Sequence, residues 1–366
     1  IVKLVGDNTP RFDHDPLTRE SKGLLIEESR TNKVNYSQTL ATGWTANNAA
    51  TRGTRVTDAS LPDGSVGSLW EVVETSSNSM HLVYQQMTGS DSPNSTACTI
   101  SAFAKPGLNR THFVLTEGNT LSATAIFDVA NGTVTQTSGT GSPTATISGP
   151  YSDGWYRCSM TYTTASTQNY INIQFGVAQN GTTPSYAGDG SSSIAVWGVQ
   201  HEVGSFVTSY IPTYGASVTR GADFAFIDGQ DFTDAYNVAE GTFVLKQSVD
   251  ETSTSNQWGW GVEKSGNRSG FFNGLGFRVG GGGAGYIGAW YNNNGSTSAF
   301  FNLNVGATAG TPFTSTLAYK LNDMAATANG ITVLTDTSAS IATAGEFDRF
   351  SLGSYHYDSM STGHIQ

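Results

Sequence analysis

The chain has 366 residues, enough for two ordinary domains, with 43 glycines and only 13 % charged residues, a balance that favours short strands and many turns over helices. Its net charge of −11, without any Lys/Arg cluster, argues against a nucleic-acid partner. No apolar run reaches membrane-spanning length, so no membrane insertion is expected, and two cysteines, Cys98 and Cys158, are too few to frame so long a chain with disulfides.

Residues 1–35 differ in character from the remainder of the chain. "PRFDHDPLTRESKGLLIEESRTN" concentrates charge, carries Pro10 and Pro16 as breakers, and reads as an extended N-terminal arm. Its triplet Leu24-Leu25-Ile26 fits a short strand or a single helical turn. Neighbouring side chains of an extended segment alternate, so Asp13 and Asp15 share a side while His14 faces away. Two carboxylates fall short of the ligand number a hard cation needs, and no two of the six histidines have ligand-like spacing. No metal and no cofactor is expected.

From about residue 36 the pattern has period two. "YINIQFGV" puts Ile171, Ile173, Phe175 and Val177 on one face and Asn172 and Gln174 on the other, which describes a half-buried antiparallel strand. "WYRCSMTYT", "CTISAFAK", "LWEVVE" and "SIAVWGVQHE" read the same way. Asn131-Gly132 between two such runs is a hairpin signal, since both residue types tolerate positive φ. "YGASVTRGADF" reads as a linker. Beyond it Phe243 and Leu245, then Leu275, Phe277 and Val279, then Leu317, Tyr319 and Leu321 alternate in further strands, with Asn329-Gly330 as a second hairpin turn. No stretch keeps a helical period over three turns. The spacing predicts an all-β chain of two tandem antiparallel β-sandwiches, or jelly rolls, preceded by the arm. The expected boundaries are 1–35 for the arm, 36–214 for the first sandwich, 215–224 for the linker and 225–366 for the second. "TGHIQ" opens a strand where the sequence stops, so the second sandwich is expected to be incomplete unless a continuation or a partner chain closes it.

Catalytic signatures are missing: there is no Walker loop, no Gly-x-Ser-x-Gly elbow and no His-Glu-x-x-His. Glu71, Glu74, Asp128, Glu202 and Glu263 are carboxylates of the type a glycosidase pairs across a cleft, but no spacing singles out two of them. Aromatic residues carry more signal. Trp258 and Trp260 share a strand face and Trp290 and Tyr291 follow, while Trp44, Trp70, Tyr84 and Trp197 lie in the first block. Exposed rings stack on the apolar faces of sugars while Asn, Asp and Gln bond to the hydroxyls. Trp258, Trp260, Trp290 and Tyr291 are therefore the candidate glycan contacts, with core or interface packing as the alternative.

"PRFDHDPLTRESKGLLIEESRTN", "GWYRCSMTYT", "YAGDGSSSIAVWGVQHEVGSFVTSYIPT" and "SVTRGADF" together resemble bacteriophage virion proteins of the fibre, spike and decoration type, over residues 10 to about 224. "GTPFTSTLAYKLNDMAATANG" and "RFSLGSYHYDSMSTGHI" resemble the concanavalin A-like, or laminin-G-like, jelly roll found next in such proteins, and the first block is similar to carbohydrate-binding jelly rolls. The resemblance implies a non-enzymatic virion structural protein on a phage head or tail, a fibre or spike subunit adhering to host-surface polysaccharide. It implies a homo-oligomer, a trimer by the fibre analogy, joined to other virion proteins through the N-terminal arm. It carries no catalytic residues. A capsid or tail decoration protein without ligand, and a polysaccharide depolymerase, are the alternatives.

Overall fold

The computed structural model describes residues 9–47, 50–52, 56–119, 123–252, 257–264, 274–280, 286–293, 296–355, 359–360 and 363–365. The chain is all-β, with antiparallel strand pairing everywhere described except the parallel pair of Trp258 with Met360, and, among the described residues, one α-helix, Gly229–Ala235. That helix is too short to leave a helical period in the sequence. Two compact units form: one from residues 30–220 with the stretch 16–19, the other from 20–29 and 221–366 with the stretch up to Asp15.

The first unit is a jelly roll. One sheet places Tyr156–Thr163, Ala97–Pro106, Ser193–Val203 and Val66–Glu74 side by side, and the other places Thr124–Asp128, His112–Glu117, Tyr170–Ala178 and Asn78–Thr88. Numbered along the chain, these eight strands run sixth-third-eighth-first and fifth-fourth-seventh-second, the winding of two interlocked Greek keys. The alternation explains the layering. Ile100, Ala102, Phe113, Leu115, Cys158, Met160, Ile173 and Phe175 meet between the sheets and are sealed from water. Both cysteines are free and buried in this layer, and burial pushes the Cys98 thiol up to about 12. Strands Thr124–Asp128 and Thr133–Ser138 pair across the Asn131-Gly132 turn, where Gly132 takes the positive φ.

The second unit is a sandwich of a seven-stranded and a larger sheet. Val249, Trp260, Leu275, Phe277, Val279, Leu317, Tyr319 and Met324 fill its interior. At Asn329-Gly330 both residues take positive φ between Met324–Ala328 and Ile331–Asp336, as a two-residue hairpin requires.

The opening segment is not a free arm. Phe12–His14 and Ser21–Ile26 form a hairpin, and Leu24, Leu25 and Ile26 pair with Ile365, His364 and Gly363. Gly363–Ile365 in turn pairs with residues 247–249 of the long strand Glu240–Val249. The first strands of the chain thus join the sheet of the second sandwich, on the far side of Gly363–Ile365 from Glu240–Val249. Gly363 is required there, because a Cβ would lie 2.0 Å from the Ser248 carbonyl oxygen. The stretch read as a linker is also engaged: Val218–Arg220 pairs with Arg30–Asn32 inside the first unit, and the Thr31 and Thr219 hydroxyls bond at 2.8 Å.

Candidate ligand-binding face

The rings singled out as sugar contacts belong to the core of the second unit. Trp260 is fully buried, with ring centroids 4.9 Å from Phe243, 5.6 Å from Phe277 and 5.9 Å from Phe350, and its indole N–H donates to Ser315 Oγ at 3.2 Å. Tyr291 is equally buried and its hydroxyl accepts the Ala342 N–H. Trp290 is only 4 % exposed. The side chain of Trp258 lies outside the described residues. Stacking on a sugar needs an open ring face, so Trp260, Trp290 and Tyr291 are not glycan contacts in this chain. The reason is physical. Period two separates two faces of a strand but does not say which is covered, and the consecutive residues Trp290 and Tyr291 are both covered.

The isolated carboxylates have structural partners. Glu74 accepts from the Arg110 guanidinium through both oxygens at 2.8 Å, from the Tyr186 hydroxyl at 2.5 Å and from the Asp189 amide at 2.8 Å. Glu202 accepts from Gln200 Nε2, the Thr208 amide and the Thr208 hydroxyl, while Gln200 Oε1 accepts the Ile211 N–H and the Asn32 side chain reaches the Ile211 carbonyl. Glu263 accepts the Ser351 hydroxyl at 2.6 Å, Glu71 that of Ser193 at 3.1 Å, and Asp128 caps the Asn131 turn. The segment "GVQHEVGSFVTSYIPT" is therefore a buried polar lock that fixes a returning loop. Asp13, from the opening Asp-His-Asp, pairs with His364 at 2.9 Å and so tethers the N-terminal hairpin to the last strand.

A different surface carries binding chemistry. In the jelly-roll sheet that contains Asn78–Thr88 and Tyr170–Ala178, every second residue enters the main core, and the intervening ones face outward. There Leu82, Val114, Ile126 and Ala178 form a separate apolar cluster that is itself buried. Beside it the cross-strand registers align Tyr84, Gln174, Thr116 and Thr124 in one row, Gln86 and Asn172 in the next, and Thr88 and Tyr170 in a third. Gln86 is exposed, and Tyr84, Asn172, Gln174 and Tyr170 are half-buried. Thr116 and Thr124 share a hydroxyl hydrogen bond of 2.9 Å. The Gln174 amide lies over Gly118, where a Cβ would meet Nε2 at 2.1 Å. Asn172 Oδ1 is buried and accepts no hydrogen bond among the described residues. Asn119 Nδ2 and Gln168 Nε2 both donate to the Tyr170 carbonyl at 2.7 Å and fix that end of the strand.

These rows hold no ionisable acid or base besides the phenols. His112 and Asp128 mark one end of the sheet, 4.0 Å apart. Burial acts to raise Asp128, but hydrogen bonds from the Asn131 side chain and the Ala130 and Asn131 amides hold it below the usual carboxylate range. The face thus presents amides, hydroxyls and phenol rings, the donor and acceptor set that matches neutral hydroxylated ligands. A signal for it was present in the sequence, since "YINIQFGV" puts Asn172 and Gln174 on the polar face. What the sequence lacked was the register that brings Tyr84, Gln86 and Thr116 beside them.

No family model matches the chain, and no curated protein matches it. Among solved structures it is similar to mouse laminin alpha1 chain domains LG4-5, at 13 % identity and a TM-score of 0.28, covering 80 % of this chain and 85 % of that one. It is also similar to the LG1-3 region of the laminin alpha2 chain, at 12 % identity and a TM-score of 0.30, covering 78 % of this chain and 64 % of that one. Both superpositions are too loose to assign a ligand; the all-β architecture rests on the strands themselves.

Proposed function

We propose that this chain is a non-enzymatic attachment subunit and that its sugar contact is the uncharged outer face of the jelly roll, not the tryptophans of the second sandwich. The observation that carries this reading is the cross-strand alignment of the accessible Tyr84, Gln174, Asn172 and Gln86 on one uncharged face. Resemblance of the sequence to phage fibre and spike proteins supports a place on the virion surface, a homotrimeric assembly and host polysaccharide as the target. Display in several copies makes weak single sites sufficient, because linked sites raise the effective concentration. The N-terminal hairpin is engaged in its own sheet, which leaves the Phe12 ring, 63 % exposed, as its contact to other virion proteins.

The test is a glycan array followed by calorimetry on the full chain. Q174A, N172A and Y84A are each expected to weaken a bound neutral glycan by roughly 3- to 10-fold, the worth of a neutral hydrogen bond, while the melting temperature stays within a few degrees. Binding unchanged in all three removes the face from consideration. A second reading, an architectural subunit without ligand, is favoured by exposed Val244, Ile331 and Val333 on the second unit, apolar side chains that a subunit contact would cover. It predicts no glycan binding in any variant.

A further inference from the structure

The other sheet of the jelly roll carries a half-buried cation without a counter-charge. Arg157 lies on the outward side of Tyr156–Thr163, since Tyr156, Cys158 and Met160 face the core. Its guanidinium sits 5.4 Å from the Phe103 ring centroid, and one Nη donates to Ser101 Oγ at 3.2 Å. Its Nε is buried and finds no acceptor. Among the described residues no carboxylate lies within ion-pair distance of it. Lys105, on the same face, by contrast pairs with Asp153 at 2.5 Å. In a chain of net charge −11, drawing a guanidinium partly out of water with no carboxylate beside it is unfavourable unless something else supplies the anion.

The surroundings define that anion. Cross-strand register places Ser148 on one side of Arg157 and Phe103 on the other. The next row is Thr146, Ser159 and Ser101, and the row after it Thr144, Thr161 and Thr99. Thr146 bonds Ser159 at 2.6 Å and Thr99 bonds Thr161 at 2.8 Å, while Thr144, Thr146 and Ser148 are exposed. A guanidinium fork matches a planar carboxylate, and hydroxyls both donate and accept.

We infer that Arg157, held from behind by the buried Ser101 and flanked by the exposed hydroxyls of Ser148 and Thr146, forms a recognition site for a carboxylate carried on a hydroxylated chain, that is, for a uronic-acid residue of an acidic polysaccharide. The site lies on the opposite sheet from the neutral face and stands independently of it.

The test compares hexuronate oligosaccharides with the same oligomers after their carboxyl groups are reduced to alcohols, by calorimetry on the full chain at low salt. The acidic form is expected to bind at least about tenfold more tightly than the reduced form, since a charge-assisted hydrogen bond is worth more than a neutral one. R157Q is expected to bring the acidic oligomer down to the reduced one's affinity, and R157K to recover part of the difference. If R157Q fails to fold, the wild-type comparison of acidic and reduced oligomers decides, together with competition by free glucuronate. Equal affinity for the two forms, or unchanged binding by folded R157Q, overturns the site and leaves Arg157 as a cation packed on Phe103. Sulfate or phosphate competing at Arg157 where glucuronate does not would overturn the saccharide assignment.

Discussion

Glu202 is fully buried, and among the described residues no cation lies within ion-pair distance of it. Three donors meet its carboxyl oxygens: the Gln200 amide, the Thr208 N–H at 2.9 Å and the Thr208 hydroxyl at 2.6 Å. A buried carboxylate that loses one of three donors has no water to replace it. T208V keeps the shape and the backbone donor but removes the hydroxyl, and is expected to cost the first unit about 1–3 kcal/mol in a urea titration. The adjacent His201 faces the core, 3.3 Å from the Tyr162 hydroxyl, with Nδ1 buried and unpartnered. Burial, aided by the Lys33 charge and opposed by Asp91, pulls its pKa from 6.5 down to about 3. The folded state therefore binds fewer protons than the unfolded state between those values. The stabilisation is complete above pH 6.5, erodes as the pH falls below it, and is gone near 3. Unfolding midpoints of the first unit are expected to drop between about pH 7 and 5, and to drop less in H201Q; equal slopes would show that His201 is not the titrating group. Both residues sit in "GVQHE", whose period-two pattern was readable. That its polar residues serve packing was not, because Asn32 comes from a strand far back in the sequence and Thr208 from the loop that follows. Trp260 teaches the same lesson from the apolar side. W260A is expected to destabilise the second unit by about 3–5 kcal/mol, an effect visible in thermal melts, where Y84A on the outer face is expected to change little.

The N-terminal hairpin is the element whose role a local reading misses most. "LLIEE" shows a strand-sized apolar triplet, and nothing nearby names its partner, which lies at the far end of the sequence. The strand is held at both margins: Leu25 N–H donates to the Arg11 carbonyl at 2.7 Å, and Leu25 faces His364 across the next pairing. Charges reinforce the fit. Arg11 bridges Glu27, at 2.6 Å, and Asp223, while Asp223 Oδ2 accepts the Glu27 N–H at 2.7 Å. Proline at position 25 removes the donor and bends the strand away from both neighbours. L25P is expected to cost the second unit about 3 kcal/mol and to speed hydrogen exchange at residues 247–249 and 363–365, leaving the first unit's core strands unchanged. A connector role would instead leave exchange in residues 247–249 as in the wild type. The strands themselves were legible from alternation, as Leu275, Phe277 and Val279 show, since all three are fully buried. Pairing between distant strands is set by the whole sheet and leaves no local mark.

At the scale of the molecule, the second unit is discontinuous and the first is inserted into it. The chain leaves the second unit after Ser29, builds the first, and returns at Gly221. Insertion of this kind needs a guest whose ends lie together, and Arg30–Asn32 paired with Val218–Arg220 supplies that. A change of character near residues 215–224 was legible in the sequence, but not that residues 20–29 belong with the sandwich beyond it. The division has a consequence for dissection of the protein. A fragment of residues 221–366 lacks the strand that flanks Gly363–Ile365, so this three-residue strand would become an open edge with nothing to cover it. That fragment is expected to aggregate or stay unfolded alone, and to fold when a peptide of residues 9–29 is added, with a dispersed NMR spectrum as the readout. Residues 30–220 keep both sheets and the whole of their core and are expected to fold unaided. If 221–366 folds with the same stability with and without the peptide, the hairpin is an accessory to the sandwich and not a part of it. If the peptide restores folding only when its Leu24–Ile26 stretch is intact, the second unit is shown to draw its closing strands from the opposite end of the chain, and a boundary drawn at the linker alone would cut through its sheet.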